Sequence, residues 1–173
     1  VIFYQVTRNW SIVQQPVAWH FGNQIIRIIV RMNYLATDMI ERDYSPFCHA
    51  GATYRAEYVS LPTGVELLTV EFAPPEPAYA PVILFIPGLV SIIDNFRETL
   101  VELTRSHTVI YVETREKSTA KISPAHRFQV DEIASDIIHF AEGRIPESVS
   151  YVMAGYFLGA TVIAEAFPRL SRK

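Results

Sequence analysis

An alternation of strand and helix patterns over the second half of the chain constrains its fold most. Residues 82–86 form a continuous apolar run that stops at a Pro-Gly pair, and helical spacing of apolar residues follows over 94–105. A second apolar strand pattern covers 108–112, a helical face covers 130–141, and a third strand pattern covers 149–153. Parallel strands need such crossovers, which are right-handed. The sequence therefore predicts an α/β fold with a mostly parallel sheet between helices.

The predicted helices also carry end signals. Ser91 followed by Asp94 resembles a capping box at the start of the first helix. Gly143 is predicted to form the C-cap of the second helix. We expect one apolar face of that second helix to be buried, made of Val130, Ile133, Ala134, Ile137 and Ala141.

A β-hairpin is predicted before the first of these strands. Residues 54–60 and 65–72 are rich in β-formers, and Pro62-Thr63-Gly64 between them is typical of a turn. The segment 73–81 then holds four prolines and is predicted to be a loop, because proline fixes φ and cannot donate a ladder hydrogen bond.

The first 46 residues stand apart from this alternation, so we predict an N-terminal segment over 1–46 and an α/β domain over 47–173. An amphipathic docking helix is predicted from about Gly22 to Ile40, packing on its own domain or on a protein partner. The alternative is contact with a membrane interface through Trp10, Trp19 and Phe21. A bilayer crossing is disfavoured by Arg27, Arg31 and Asp38. The apolar face is expected to comprise Ile25, Ile26, Ile29, Met32, Ala36 and Ile40.

Charge and cysteine content exclude several function classes. Among 173 residues, fifteen basic and eighteen acidic side chains give a formal net charge of −3, which argues against nucleic acid as a partner. Cys48 is the one cysteine, so a disulfide framework and a multi-thiolate zinc site are excluded. We predict neither a metal nor a cofactor, and the sequence assigns no compartment.

The third strand pattern runs into Gly155-Tyr156-Phe157-Leu158-Gly159, and an apolar helix pattern follows. This arrangement resembles the nucleophile elbow of the α/β-hydrolase family, in which Gly-x-Ser-x-Gly turns sharply from strand to helix and lifts the serine above the sheet. Gly155 and Gly159 match the two glycines, whereas Phe157 stands at the serine position. The resemblance covers residues 54–167, the family's N-terminal half through its fifth strand.

In the same family, the loop after the third strand supplies a backbone N–H group to the oxyanion hole. Pro87 and Gly88 begin the corresponding loop here. The resemblance implies that the N–H groups of Leu89 and Leu158 are the two donors of a vestigial oxyanion hole. We expect these two groups to lie near each other beside Phe157.

Two departures from the family pattern argue against catalysis. A phenyl ring has no lone pair and no transferable proton, so Phe157 cannot act as a nucleophile. Family members place the acid and the histidine after the serine, whereas all five histidines precede Phe157 and the chain ends sixteen residues after it, at Lys173. We therefore expect no serine-hydrolase activity and an incomplete domain.

Substitute reactive groups are not predicted. Tyr156 has no evident activating partner, and a Cys48–His49 pair is disfavoured because neighbours in an extended segment face opposite ways. The charged run 113–117 is interpreted as a solvated, ion-paired face, and the basic C-terminal end as a solvated tail.

The family's strand order is 1-2-4-3-5-6-7-8, which implies that the strand over 149–153 lies at an open edge. No charge occurs from Ser148 to Ala164, whereas natural edge strands are usually protected by charge or proline. We expect another polypeptide, a partner subunit or later strands to cover this edge.

Three hypotheses follow. The first is a catalytically inactive α/β-hydrolase-like module that serves as a structural or binding subunit of a larger protein assembly. The second is a fragment or variant of an esterase- or lipase-like hydrolase acting on carboxylic esters. The third is a binder of a small ligand above the elbow, and Phe157 distinguishes among the three.

Overall fold

The computed structural model of the chain describes residues 2–6, 38–78 and 81–170. These residues form one mixed sheet with helices on both faces. The strands are β1 (Ile2–Val6), β2 (Thr53–Ser60), β3 (Glu66–Ala73), β4 (Val82–Ile86), β5 (Val109–Val112) and β6 (Tyr151–Gly155). The helices are α1 (Asp38–Glu41), α2 (Arg97–Leu103), α3 (Val130–Arg144) and α4 (Leu158–Leu170), with short 3-10 helices at Ser45–Phe47 and Ile93–Phe96.

The strand order in the sheet is β1-β6-β4-β5-β3-β2. Strand β4 is parallel to both β5 and β6, whereas β2 with β3 and β3 with β5 are antiparallel. The predicted hairpin and the strand–helix alternation are therefore confirmed. Because β4 is central, its carboxyl end lies between those of β5 and β6, at the edge where α/β proteins place their sites.

Alternate residues of β4 supply the two cores. Leu84 and Ile86 pack into the cluster that includes α3 and α4, whereas Ile83 and Phe85 pack into the cluster that includes α2. The expected buried face of α3 is confirmed at four positions, Ile133, Ala134, Ile137 and Ala141, while Val130 is partly buried against the same cluster.

Two predictions about helix ends are wrong. Gly143 lies inside α3, which continues to Arg144, and its backbone is not left-handed. The side chain that caps the Ile93–Phe96 helix belongs to Asn95, which accepts a hydrogen bond from the N–H of Ile92, rather than to Ser91 or Asp94. Both errors concern which of several neighbouring residues lies at the terminus of the helix, where sequence-based boundaries are least precise.

The open edge expected beside the third predicted strand, which is β6, is also contradicted. Strand β1 pairs antiparallel with β6 along its full length, from Ile2 opposite Gly155 to Val6 opposite Tyr151. The pairing joins the start of the chain to a strand near its end, and no local pattern in the sequence reports such a contact. In the family order, the neighbouring position belongs to the sixth strand, so β1 takes that position here.

The predicted docking helix over 22–40 falls mostly outside the described residues. The described end of this prediction lies in α1, Asp38–Glu41. The domain boundary at residue 46 stays a prediction; Tyr44 and Phe47, on either side of it, share one core cluster. Within the described ranges, no helix has the length and apolar character needed to cross a membrane.

Candidate functional site

A tight strand-to-helix turn joins β6 to α4. Phe157 occupies its apex with a φ of +52°, in the left-handed region, and its side chain points largely into solvent, with 74% of the residue exposed. A Cβ atom added at Gly155 would lie 2.6 Å from the backbone N of Ala160, and one at Gly159 would lie 2.1 Å from the carbonyl oxygen of Ile86. The turn therefore has no room for larger residues at either glycine, as the elbow pattern requires.

The loop after β4 contacts this elbow directly. A Cβ atom at Gly88 would lie 2.7 Å from the carbonyl oxygen of Tyr156 and 2.9 Å from the Cβ of Phe157. The N–H of Ser91 donates to the carbonyl of Gly88 (3.2 Å), which closes a four-residue turn, here called the Gly88–Ser91 turn. Within it, Val90 has a φ of +58° and is 62% exposed.

Gly88 and Phe157 contact each other. Leu89 directly follows Gly88, and Leu158 directly follows Phe157. Neither of their N–H groups has a hydrogen-bond acceptor among the described residues. Leu158 also begins α4, whose N-terminal end carries partial positive charge. Their role as oxyanion donors stays a prediction, and these free N–H groups are compatible with it.

The charged loop after β5 differs from its predicted solvated state. Glu113, Thr114 and Arg115 are buried, and the Arg115 guanidinium binds both carboxylate oxygens of Asp136 in α3, at 2.6 and 2.7 Å. The hydroxyl of Thr63 donates to the same carboxylate at 2.7 Å. The interpretation of 113–117 as an exposed, ion-paired face is therefore wrong, because this pair is enclosed between the loop and α3.

Glu113 and Lys117 bring titratable groups to the carboxyl end of the sheet. The Glu113 carboxylate accepts a hydrogen bond from the Thr119 hydroxyl, and burial raises its pKa. The Lys117 ammonium donates to the carbonyls of Gly88 and Ser91, and burial lowers its pKa. A cavity of about 70 Å³ lies between this loop and the loop after β4. The sequence did carry a signal for these groups, because the charged run 113–117 directly follows a buried strand. That pattern alone does not distinguish buried charges from solvated ones.

Comparison with known proteins identifies the architecture. No protein-family model matches the sequence, and no curated protein sequence matches it significantly. Among solved structures, a bacterial membrane phospholipase A matches with a TM-score of 0.58 and 19% identity, over 70% of this chain and 37% of that chain. The Cif epoxide hydrolase from Acinetobacter nosocomialis matches with a TM-score of 0.53 and 16% identity, over 80% of this chain and 41% of that chain. A point mutant of an epoxide hydrolase from Solanum tuberosum matches with a TM-score of 0.55 and 18% identity, over 66% and 35%.

The chain has part of the α/β-hydrolase fold. It spans about two fifths of the length of these solved structures. At identities below 20%, the likeness concerns the fold alone.

Among the described residues, Cys48, Tyr156 and the histidines do not form a hydrolase site at the elbow. Burial raises the pKa of the Cys48 thiol, and its sulfur contacts the carbonyls of Ser45 and Ala52 rather than His49. The Tyr156 ring packs edge-on against Phe96, with centroids 5.4 Å apart. Within the same ranges no histidine hydrogen-bonds to the elbow.

Proposed function

We propose that this chain is a catalytically silent α/β-hydrolase-fold module that serves as a structural or binding subunit of a protein assembly. The observation that carries the proposal is Phe157 at the apex of a correctly formed elbow, in the left-handed conformation that the position demands. A phenyl ring can neither attack a carbonyl nor be activated by a base. The proposal depends on this residue and not on where the chain ends, since no further segment changes the apex side chain.

Exposed apolar groups at the elbow support a binding role. Val90, Tyr156 and Phe157 are all exposed and lie on the turn and elbow that contact each other. These three residues are here called the apolar rim. Exposed apolar and aromatic side chains gathered at one place are typical of contact surfaces. We propose a protein subunit as the partner of this rim.

A second candidate function is part of an esterase- or lipase-like hydrolase. It is favoured by the hydrolase fold and by the N–H groups of Leu89 and Leu158, which have no acceptor among the described residues. This candidate requires a nucleophile other than the elbow residue.

A fluorophosphonate probe separates the two candidates. We expect no stable labelling of the chain between Gly155 and Gly159 in peptide mass mapping. Phe157→Ser restores a hydroxyl at the apex and should permit at most weak turnover of an activated ester, about 10³-fold over water, because an oxyanion hole alone supplies that much. Tyr156→Ser is the matched control, with a hydroxyl beside the apex, and should gain nothing. Stable labelling of the unmodified chain, within this segment or at any other residue, would favour the hydrolase candidate.

Assembly is tested separately by the mass that this chain has in solution. Light scattering after size exclusion should give a mass above that of the single chain, and Phe157→Ser should weaken the association. A monodisperse particle of 19.7 kDa for this chain, unchanged by the substitution, would contradict the subunit role.

A further inference from the structure

The Gly88–Ser91 turn holds a residue that is poorly suited to its backbone. Val90 is its third residue and has a φ of +58°, while Leu89 is not left-handed. These signs of φ are those of a type II turn, in which the third position favours glycine or asparagine. A β-branched residue in the left-handed region is a genuine outlier and persists only where surrounding contacts hold it. Some contact must therefore stabilise this turn.

Lys117 supplies such a contact from a different loop. Its ammonium donates to the carbonyl of Gly88, the first residue of the turn, and at 2.7 Å to that of Ser91, the last residue. Both ends of the turn are thus bound to one cation, in addition to the hydrogen bond from Ser91 N–H to Gly88 O at 3.2 Å. Hydrogen bonds from a charged donor are about twice as strong as neutral ones.

The loop that carries Lys117 is itself fixed on both sides. Arg115, two residues earlier, binds Asp136 in α3, and Thr119, two residues later, donates to the buried Glu113 carboxylate. Glu113 and Glu116 also offset the positive charge of the ammonium electrostatically. On the other side of the cavity, Arg42 and Asp94 form their own ion pair at 2.8 Å. Lys117 therefore extends from an anchored base and not from a free surface loop.

We propose that Lys117 is a positioning residue whose ammonium holds the Gly88–Ser91 turn in its left-handed conformation at Val90. By doing so it fixes the peptide groups of the turn where they contact the elbow, next to Phe157. This inference goes beyond the proposed function, because it holds whether or not Phe157 is catalytically silent.

The test compares Lys117→Met with Lys121→Met. Methionine preserves most of the length of the side chain and removes the cation, and Lys121 is the control because it is half-exposed and pairs with Glu66 instead. In Lys117→Met, hydrogen exchange at the Ser91 amide should accelerate at least tenfold, and the carbonyl ¹³C signals of Gly88 and Ser91 should shift. In Lys121→Met, neither should change.

A second variant separates positioning from a merely structural bond. Val90→Gly removes the backbone strain, because glycine adopts positive φ without steric cost. In that background, Lys117→Met should accelerate exchange at Ser91 much less than in the parent chain. An equal acceleration in both backgrounds, or none in either, would overturn the proposal.

A third readout needs no substitution. The carbonyl signals of Gly88 and Ser91 should titrate with a pKa below the ordinary lysine value of 10.5, since burial lowers the pKa of Lys117. Carbonyl signals that stay constant up to that pH would contradict the proposal even if Lys117→Met failed to fold. None of these results depends on fluorophosphonate labelling, so the two proposals fail independently.

Discussion

Two neighbouring regions at the carboxyl edge of the sheet reverse the usual placement of polar and apolar groups. The loop after β5 buries charge against α3, with the Arg115 side chain of the loop 4% exposed and the Asp136 side chain of α3 1% exposed. The elbow does the opposite, since Phe157 is 74% exposed. Charged residues are almost never fully buried unless they are paired, and a large exposed aromatic gains nothing from the hydrophobic effect.

The difference lies in what holds each region in place. Side chains fix the charged loop through Asp136, Thr119 and the two carbonyls bound by Lys117. The elbow is fixed by its backbone, through close contacts at Gly155 and Gly159, while its apex side chain contributes little packing. The charged loop therefore acts as scaffold, whereas the apex residue is free of packing demands and available for contact with a partner.

The largest expected effect is the loss of the scaffold's buried ion pair. Asp136→Ala leaves the Arg115 guanidinium enclosed without its bidentate partner, and breaking a buried pair in this way costs about 3–5 kcal/mol. Urea unfolding followed by circular dichroism measures the loss. Glu102→Ala, which breaks an exposed pair with Arg105, is the control and should cost about 0–1 kcal/mol. Similar costs for both variants would show that the charged loop is not a scaffold.

The sequence was sufficient to predict the parallel strands at the centre of the fold, because their patterns lie within each segment. Each central strand is a short apolar run followed by a helical apolar face, so Val82–Ile86 was predicted from its apolar run and the Pro-Gly pair that stops it, and α3 from its helical spacing. The pairing of β1 with β6 was not predicted, because Ile2–Val6 lies outside the strand–helix alternation and its partner among the described residues is far along the chain. A pattern within a segment indicates that the segment can form a strand, but it does not indicate which distant strand is its partner.

A smaller effect is expected at the elbow, where a substitution should stabilise the fold. Phe157→Gly should increase the free energy of unfolding by roughly 0.5–1 kcal/mol, because glycine relieves a left-handed backbone and the exposed ring loses little packing. Tyr156→Gly is the matched control, since its backbone is not left-handed and its ring contacts Phe96, and it should be destabilising. Denaturant midpoints of the two variants should therefore move in opposite directions. A destabilised Phe157→Gly would mean that the phenyl ring is held by packing after all.

The site was predictable only where it depends on glycine spacing. Gly155 and Gly159 pointed to the elbow because small residues are needed at those two positions. The partners of Glu113, Arg115 and Lys117 could not be predicted, because each lies in another loop or helix that only the folded sheet brings close. A run of charged residues in a sequence does not indicate whether water or an oppositely charged side chain surrounds it in the fold.

The smallest expected effect concerns pH and a third buried titratable group of the scaffold, Glu113. Burial raises its pKa above the ordinary 4.5, while the Thr119 hydroxyl and Lys117 lower it and so offset part of the change. The folded chain therefore retains this proton at pH values where the unfolded chain has released it. The contribution of Glu113 to stability is then greatest below about 4.5 and declines as the pH rises through the raised folded pKa.

Glu113→Gln tests this sign, because glutamine is neutral at every pH and its amide oxygen still accepts from Thr119. Free energies of unfolding measured in urea from a pH of about 4 to about 8 should converge for variant and parent at the acid end. Toward neutral pH the parent should lose stability relative to the variant. Glu66→Gln, at a half-exposed surface pair with Lys121, is the matched control for removal of a carboxylate. A parent that gains stability over Glu113→Gln as the pH rises would show that its partners outweigh burial, making the buried carboxylate a favourable member of the scaffold.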